Sequence, residues 1–218
     1  MKEGSGKQNN MVISYLTLRK AVGILGTALP FVLFLGALII FRTGVQSSIS
    51  AYYHTGMGDV YVGTLCVIGL FLFSYKGYPP HDNLAGHLGC VFAVGTALFP
   101  AAPECSPTNC ELIIGYVHFS IAAFFFFTLI YFSIFLFTKT DPDKPATKQK
   151  GQRNIVYKVC GYIMIICILL VGLYHFLPAN VTSPLKKFHP VFWLEAAAIV
   201  AFGISWLIKG ETLLKDKA

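Results

Sequence analysis

Ser50, His54, Asp59, His118, His175, His189 and Glu195 are the residues of this chain whose types and spacing could do chemistry. A catalytic zinc ion takes three protein ligands and keeps one open position. His54, His118 and His189 can supply the three from separate elements, with His175 as the alternative ligand. Ser50 stands at i and His54 at i+4, so a helical turn puts both on one face, where the hydroxyl orients the imidazole or holds a metal-bound water. Asp59 or Glu195 then serves as general base. Chemistry of this kind in an apolar chain points to hydrolysis of a lipid amide or ester.

The elements that must position these groups are membrane helices. The chain has 218 residues, 55% hydrophobic and 12% charged, with a mean hydropathy of +0.64. A soluble globular domain carries about 25% charged residues, so this composition excludes one. With 15% aromatics, disorder, collagen-like repeats and a small disulfide-stapled fold are excluded as well. A spanning helix needs about 20 mostly apolar residues. The apolar segments are Ala21 to Phe41, Met57 to Ser74, Leu84 to Phe99, Leu112 to Phe137, Val159 to Leu177 and Val191 to Ile208. The expected fold is therefore all-α, a polytopic membrane bundle of six transmembrane helices over residues 21–208. A cytoplasmic segment, 1–20, precedes it and a cytoplasmic tail, 209–218, follows.

Orientation follows from the basic residues, because cytoplasmic loops hold an excess of them. Of the 17 Lys and Arg, all but Arg42, Lys186 and Lys187 fall on the side of the N-terminus if the spans alternate. Both termini are then cytoplasmic, in a bacterial inner membrane or a plasma membrane. Topology accounts for the net charge of +7 with no nucleic-acid partner. Membrane lipids are the expected partners, with a second copy of the chain or another membrane protein beside them. Lys139 to Arg153, which contains Asp141, Pro142, Asp143 and Pro145, reads as a solvated linker. Cys105 and Cys110 share a short outer loop between Pro103 and Glu111, and a disulfide is expected if that side is oxidising; a zinc pair there lacks further ligands.

Depth singles out the polar residues. An ionisable group inside a span is costly and tends to face the bundle interior. His54, His118, His175, His189, Asp59 and Glu195 all map to the outer half, and His54, Asp59, His118 and at least one of His175, His189 and Glu195 are expected to converge on one outward-facing cavity. Against this stand structural readings: interfacial hydrogen bonds for the histidines, and helix-dipole complements for Asp59 and Glu195. On the inner side, His81, Asp82, Asn83 and His87 read as a cap and a solvated turn after Pro79-Pro80. Pro30 with Gly23 and Gly26, and Gly86 with Gly89, predict kinks or close helix contacts. The chain contains no phosphate loop, dinucleotide fingerprint, nucleophile elbow or zinc-protease helix motif.

Two families share parts of this pattern. The run of apolar segments, the Ser47-Ser48-Ile49-Ser50 stretch, Leu98-Phe99-Pro100 and His118 entering the next segment resemble the uncharacterised bacterial six-span proteins of the DRAM/Frag/Sfk type. That resemblance implies a non-enzymatic role in membrane or lipid homeostasis. Ser50, His54 and Asp59 are similar to the first part of the motif of the CREST membrane hydrolases, which include alkaline ceramidases. It implies zinc-dependent hydrolysis, although this chain lacks the family's later His-x-x-x-His. A third class, a proton- or ion-coupled carrier, would use His118 and Glu195 as a relay.

Overall fold

Why each apolar segment coils is a matter of backbone satisfaction: in hydrocarbon, every N–H and C=O must be paired within its own segment. The computed structural model describes residues 15–77, 82–140 and 147–212. Among them are α1 (Tyr15–Ile39), α2 (Gly58–Phe73), α3 (Asp82–Leu98), α4 (Asn109–Tyr131), α5 (Lys148–Phe176), α6 (Ala179–Leu185) and α7 (Pro190–Lys209). A π-turn, Phe132–Leu136, extends α4, and short 3₁₀ turns cover Ser50–His54 and Lys186–Phe188. The expected turn at Pro79-Pro80 and His81, the linker residues Asp141 to Pro145, and most of both terminal segments lie outside the described residues.

Six apolar segments become helix, yet the expectation of six transmembrane helices does not stand. Four stretches among the described residues are long and apolar enough to cross a membrane: Tyr15–Ile39, Asn109–Leu136, Lys148–Phe176 and Pro190–Lys209. Helix α2 has 16 residues and α3 has 17. At 1.5 Å per residue each extends roughly 25 Å, short of a hydrocarbon core about 30 Å thick. The reason lies in the ends of these segments, where Gly58 and Asp59 open α2, Asp82 and Asn83 open α3, and Pro100 follows α3. The fold is thus an all-α bundle with four candidate membrane-spanning helices.

The helices follow one another around a ring, α1 on α2, α2 on α3, α3 on α4, α4 on α5, α5 on α7, and α7 back on α1. At the α1–α7 seam, a Cβ added to Gly23 would fall 2.7 Å from the Leu207 backbone nitrogen and 2.9 Å from the Gly203 carbonyl oxygen. Only small residues permit that approach, as Gly23 predicted. A Cβ on Gly86 would likewise lie 2.5 Å from the Leu72 carbonyl oxygen, which locks α3 to α2. Pro30 stays inside an uninterrupted α1.

Helix α5 displays the solvent it was built for. Ile155, Val159, Tyr162, Ile166, Leu169, Leu173 and Phe176 form an exposed stripe, while Tyr157, Cys160, Met164, Cys167 and Val171 on the opposite face are buried. An apolar stripe of this length is stable against lipid and not against water.

The other end of the core is aromatic. Trp206 sits among Phe132, Phe137, Phe202 and Tyr75, with ring centroids 5.1 Å from Phe137 and 5.6 Å from Phe132. Beside it Asp82, expected in a solvated turn, is 1% exposed and takes both oxygens to Lys139 Nζ at 2.6 and 2.7 Å. Cys105 and Cys110 are free and exposed, so the expected disulfide is absent. Cys110 is fixed in the first turn of α4 by a capping box between Thr108 and Glu111, while Cys105 precedes the left-handed turn at Ser106.

Candidate functional site

Connection 40–57 does not hang free at its end of the bundle. The Phe192 N–H donates to the Ser47 carbonyl at 2.9 Å, and the Ile49 N–H donates to Glu195 Oε2 at 2.7 Å. Ser48 Oγ accepts from the Ala51 N–H at 3.0 Å, which ties the approach to the 3₁₀ turn. Tyr52 in that turn is fully buried, its ring 6.0 Å from Phe192. The connection is thereby clamped across the mouth of the ring, and Ile49 and Ser50 form one wall of a cavity on its axis.

That cavity is partly open and about 50 Å³, which is room for a few water molecules or the end of one hydrocarbon chain. Its walls are mainly apolar, with Leu29 from α1, Leu65 and Ile68 from α2, Phe125 from α4 and Phe202 from α7. Its polar groups are Ser50, Tyr61, Thr96, His118 and Glu195. Sequence reasoning missed Tyr61 and Thr96. The signal that could have found them is their spacing: each stands on the inward stripe of its helix.

Of the residues expected to act, the cavity brings together Ser50, His118 and Glu195. His118 is 5% exposed, and its Nδ1 lies 2.6 Å from the Phe99 carbonyl oxygen. A carbonyl only accepts, so Nδ1 carries a proton and donates it. His54 is exposed and donates from Nε2 to the Ala101 carbonyl at 2.7 Å. Both imidazoles therefore serve carbonyls just beyond α3, where helix-end acceptors lack intrahelical partners and Pro100 and Pro103 bring no donors.

Ser50 and His54 do not pair. The segment is a 3₁₀ turn with three residues per turn, so positions four apart point in different directions. Ser50 Oγ instead meets Ser48 Oγ at 3.0 Å, with no base on it. Asp59 is exposed in the first turn of α2. His175 is exposed, its ring edge-on to Phe119 at 5.1 Å. His189 adopts the left-handed conformation at φ 49° before α7 and makes no side-chain cap.

This arrangement overturns the zinc expectation. Among the described residues, no group of three or more His, Cys, Asp or Glu side chains could hold a metal ion. The physical reason is placement: His118 is enclosed between the helices, His54 and Asp59 are exposed outside the cavity, and His189 belongs to the start of another helix. No protein-family model, curated protein or solved structure matches the chain.

Proposed function

We propose that this protein is a non-catalytic integral membrane protein that binds a membrane lipid, with the end of an apolar chain in the axial cavity and its polar group near Ser50, His118 and Glu195. The observation that carries this reading is the lining: apolar walls from several helices with polar groups at one end, inside a bundle whose outer faces are already apolar. Lateral entry from the bilayer suits such a site, since a lipid need not cross water to reach it. The lipid-related role implied by the DRAM/Frag/Sfk resemblance agrees with this reading. In the same reading, the end carrying Arg19, Lys139, Lys150, Arg153 and Lys209 faces the cytoplasm, by the excess of positive charge there.

The test is lipid analysis of the purified protein beside an Ala122→Phe variant, which places a ring in the cavity wall. One lipid class should be enriched in the wild type and reduced by at least about tenfold in the variant, given that filling a pocket forfeits the contacts that drive binding. Identical lipid profiles in the two proteins, with both correctly folded, would refute it. A cysteine at position 148 should label only from the cytoplasmic side of intact cells; labelling from outside reverses the orientation.

A further inference from the structure

At the end of the bundle away from the cavity, three helices deliver cations to one place. Lys150 of α5 donates from Nζ to the Phe137 carbonyl at 2.8 Å and stands 5.8 Å from the Tyr157 ring centroid. Lys209, in the last turn of α7, lies over the ring of the same Phe137 at 5.5 Å. Arg19 of α1 and Arg153 of α5 are near enough to act electrostatically on both Tyr157 and Lys209. One described carboxylate, Glu211, shares this neighbourhood. The C-terminal dipole of α7 favours Lys209, and the Arg19 guanidinium lies over the Tyr15 ring at 4.2 Å.

Two unsatisfied donors lie on helices that carry these cations, α1 and α7. Arg19 Nε is buried and finds no acceptor among the described residues, and neither does the indole Nε1 of Trp206, a residue 2% exposed. Trp206 packs on the same Phe137 ring that Lys209 covers. Burying donors without acceptors is costly, and a multivalent oxygen acceptor relieves it. The position also matters, because these residues sit near the ends of three candidate spans.

We infer that Arg19 and Lys209, with Lys150 and Arg153 adding to the field, form a site for the phosphate headgroup of an anionic membrane lipid. The guanidinium of Arg19 supplies planar, paired donors, and Lys209 supplies a compact charge against an aromatic floor. A basic pocket between helix ends is a recognised chemistry for such headgroups. This site is separate from the axial cavity, so either reading can fail alone.

The experiment places the full chain in nanodiscs of phosphatidylcholine, with or without a minority of phosphatidylglycerol, and measures phosphatidylglycerol retained after extraction. Wild type should retain it selectively. Arg19→Gln with Lys209→Gln should cut the preference by about fivefold for each charge removed. Arg19→Lys with Lys209→Arg should keep most of it, and Lys186→Gln with Lys187→Gln, at the opposite end, should leave it intact. Acetylation of Lys209 in the wild type gives a second readout that needs no variant: phosphatidylglycerol should protect it more than it protects Lys187. Absence of enrichment or of protection overturns the site, as does selectivity that survives both Gln substitutions. Inorganic phosphate added to phosphatidylcholine nanodiscs should give no thermal shift; a shift equal to that from phosphatidylglycerol overturns the lipid source in favour of free phosphate.

Discussion

Glu195 Oε2 accepts the backbone N–H of Ile49 at 2.7 Å, across 146 positions of sequence. This bond fastens connection 40–57 to α7. Glu195→Ala leaves a part-buried donor unpaired and should cost about 1–3 kcal/mol. Glu195→Gln retains a side-chain oxygen and should cost less. Thermal unfolding ranks the two, and hydrogen exchange at Ile49 should rise in the Ala variant; equal losses with unchanged exchange would rule the clamp out.

His118 and His54 predict unequal effects. His118→Ala opens a space beside the cavity and strips a part-buried carbonyl of its donor, so its loss should be about 1–3 kcal/mol. His54→Ala exposes the Ala101 carbonyl to water, which replaces the donor, and should be milder. Denaturation in detergent decides the order. The reverse ranking would contradict the assigned roles.

Metal should be dispensable. Elemental analysis of the purified protein is expected to find no stoichiometric zinc, and a chelator should leave the melting temperature unchanged. A melting temperature that falls with chelator and recovers with zinc would overturn this.

The Asp82–Lys139 pair offers a double-mutant cycle. Asp82→Asn should cost about 3 kcal/mol, the low end for breaking a buried pair, because Lys139 is 34% exposed and its charge is partly solvated. Lys139→Met strands the carboxylate and should cost at least as much. Joined with Asp82→Leu, it should recover part of the loss, whereas simple additivity would mean the pair is not coupled.

Gly203→Leu tests the α1–α7 seam. Its side chain would be driven into Thr27 and the Gly23 carbonyl, costing about 1–3 kcal/mol through overpacking. Gly172→Leu, with open space around its Cα, is the control and should be nearly neutral. Similar melting temperatures for the two variants would remove the seam from the account.

Much of this architecture can be read from the chain, and the misses have physical causes. The apolar run Val191 to Ile208 marks α7 as Pro190–Lys209, because a proline opens the helix and a lysine ends it at the interface. The number of full spans is not legible in the same way: apolar windows show that α2 and α3 form, whereas their polar and Gly-rich ends decide whether they are long enough. For the site, depth brings His118 and Glu195 to one cavity but also expects His54 and Asp59 there, which are exposed outside it. It cannot say which side chains at that level turn into the cavity and which stay outside it, and that choice decides whether ligands for a metal come together. Asp82 with Lys139 and Glu195 with Ile49 are contacts across turns of the ring, invisible to any local period. Thr108 and Glu111, by contrast, are a capping box written openly in the sequence.

The seam between α1 and α7 sets an order of events during synthesis. Helix α1 packs most extensively on α7, which is made after it, so the narrow face at Gly23 must wait in lipid while the intervening chain is inserted. Glycines leave the helix backbone open along that face, and Thr27 Oγ1, which has no acceptor among the described residues even in the finished bundle, lies there too. Insertion of α7 is therefore the step that joins α1 to α5, and chains arrested before it would leave the Gly23 face of α1 uncovered.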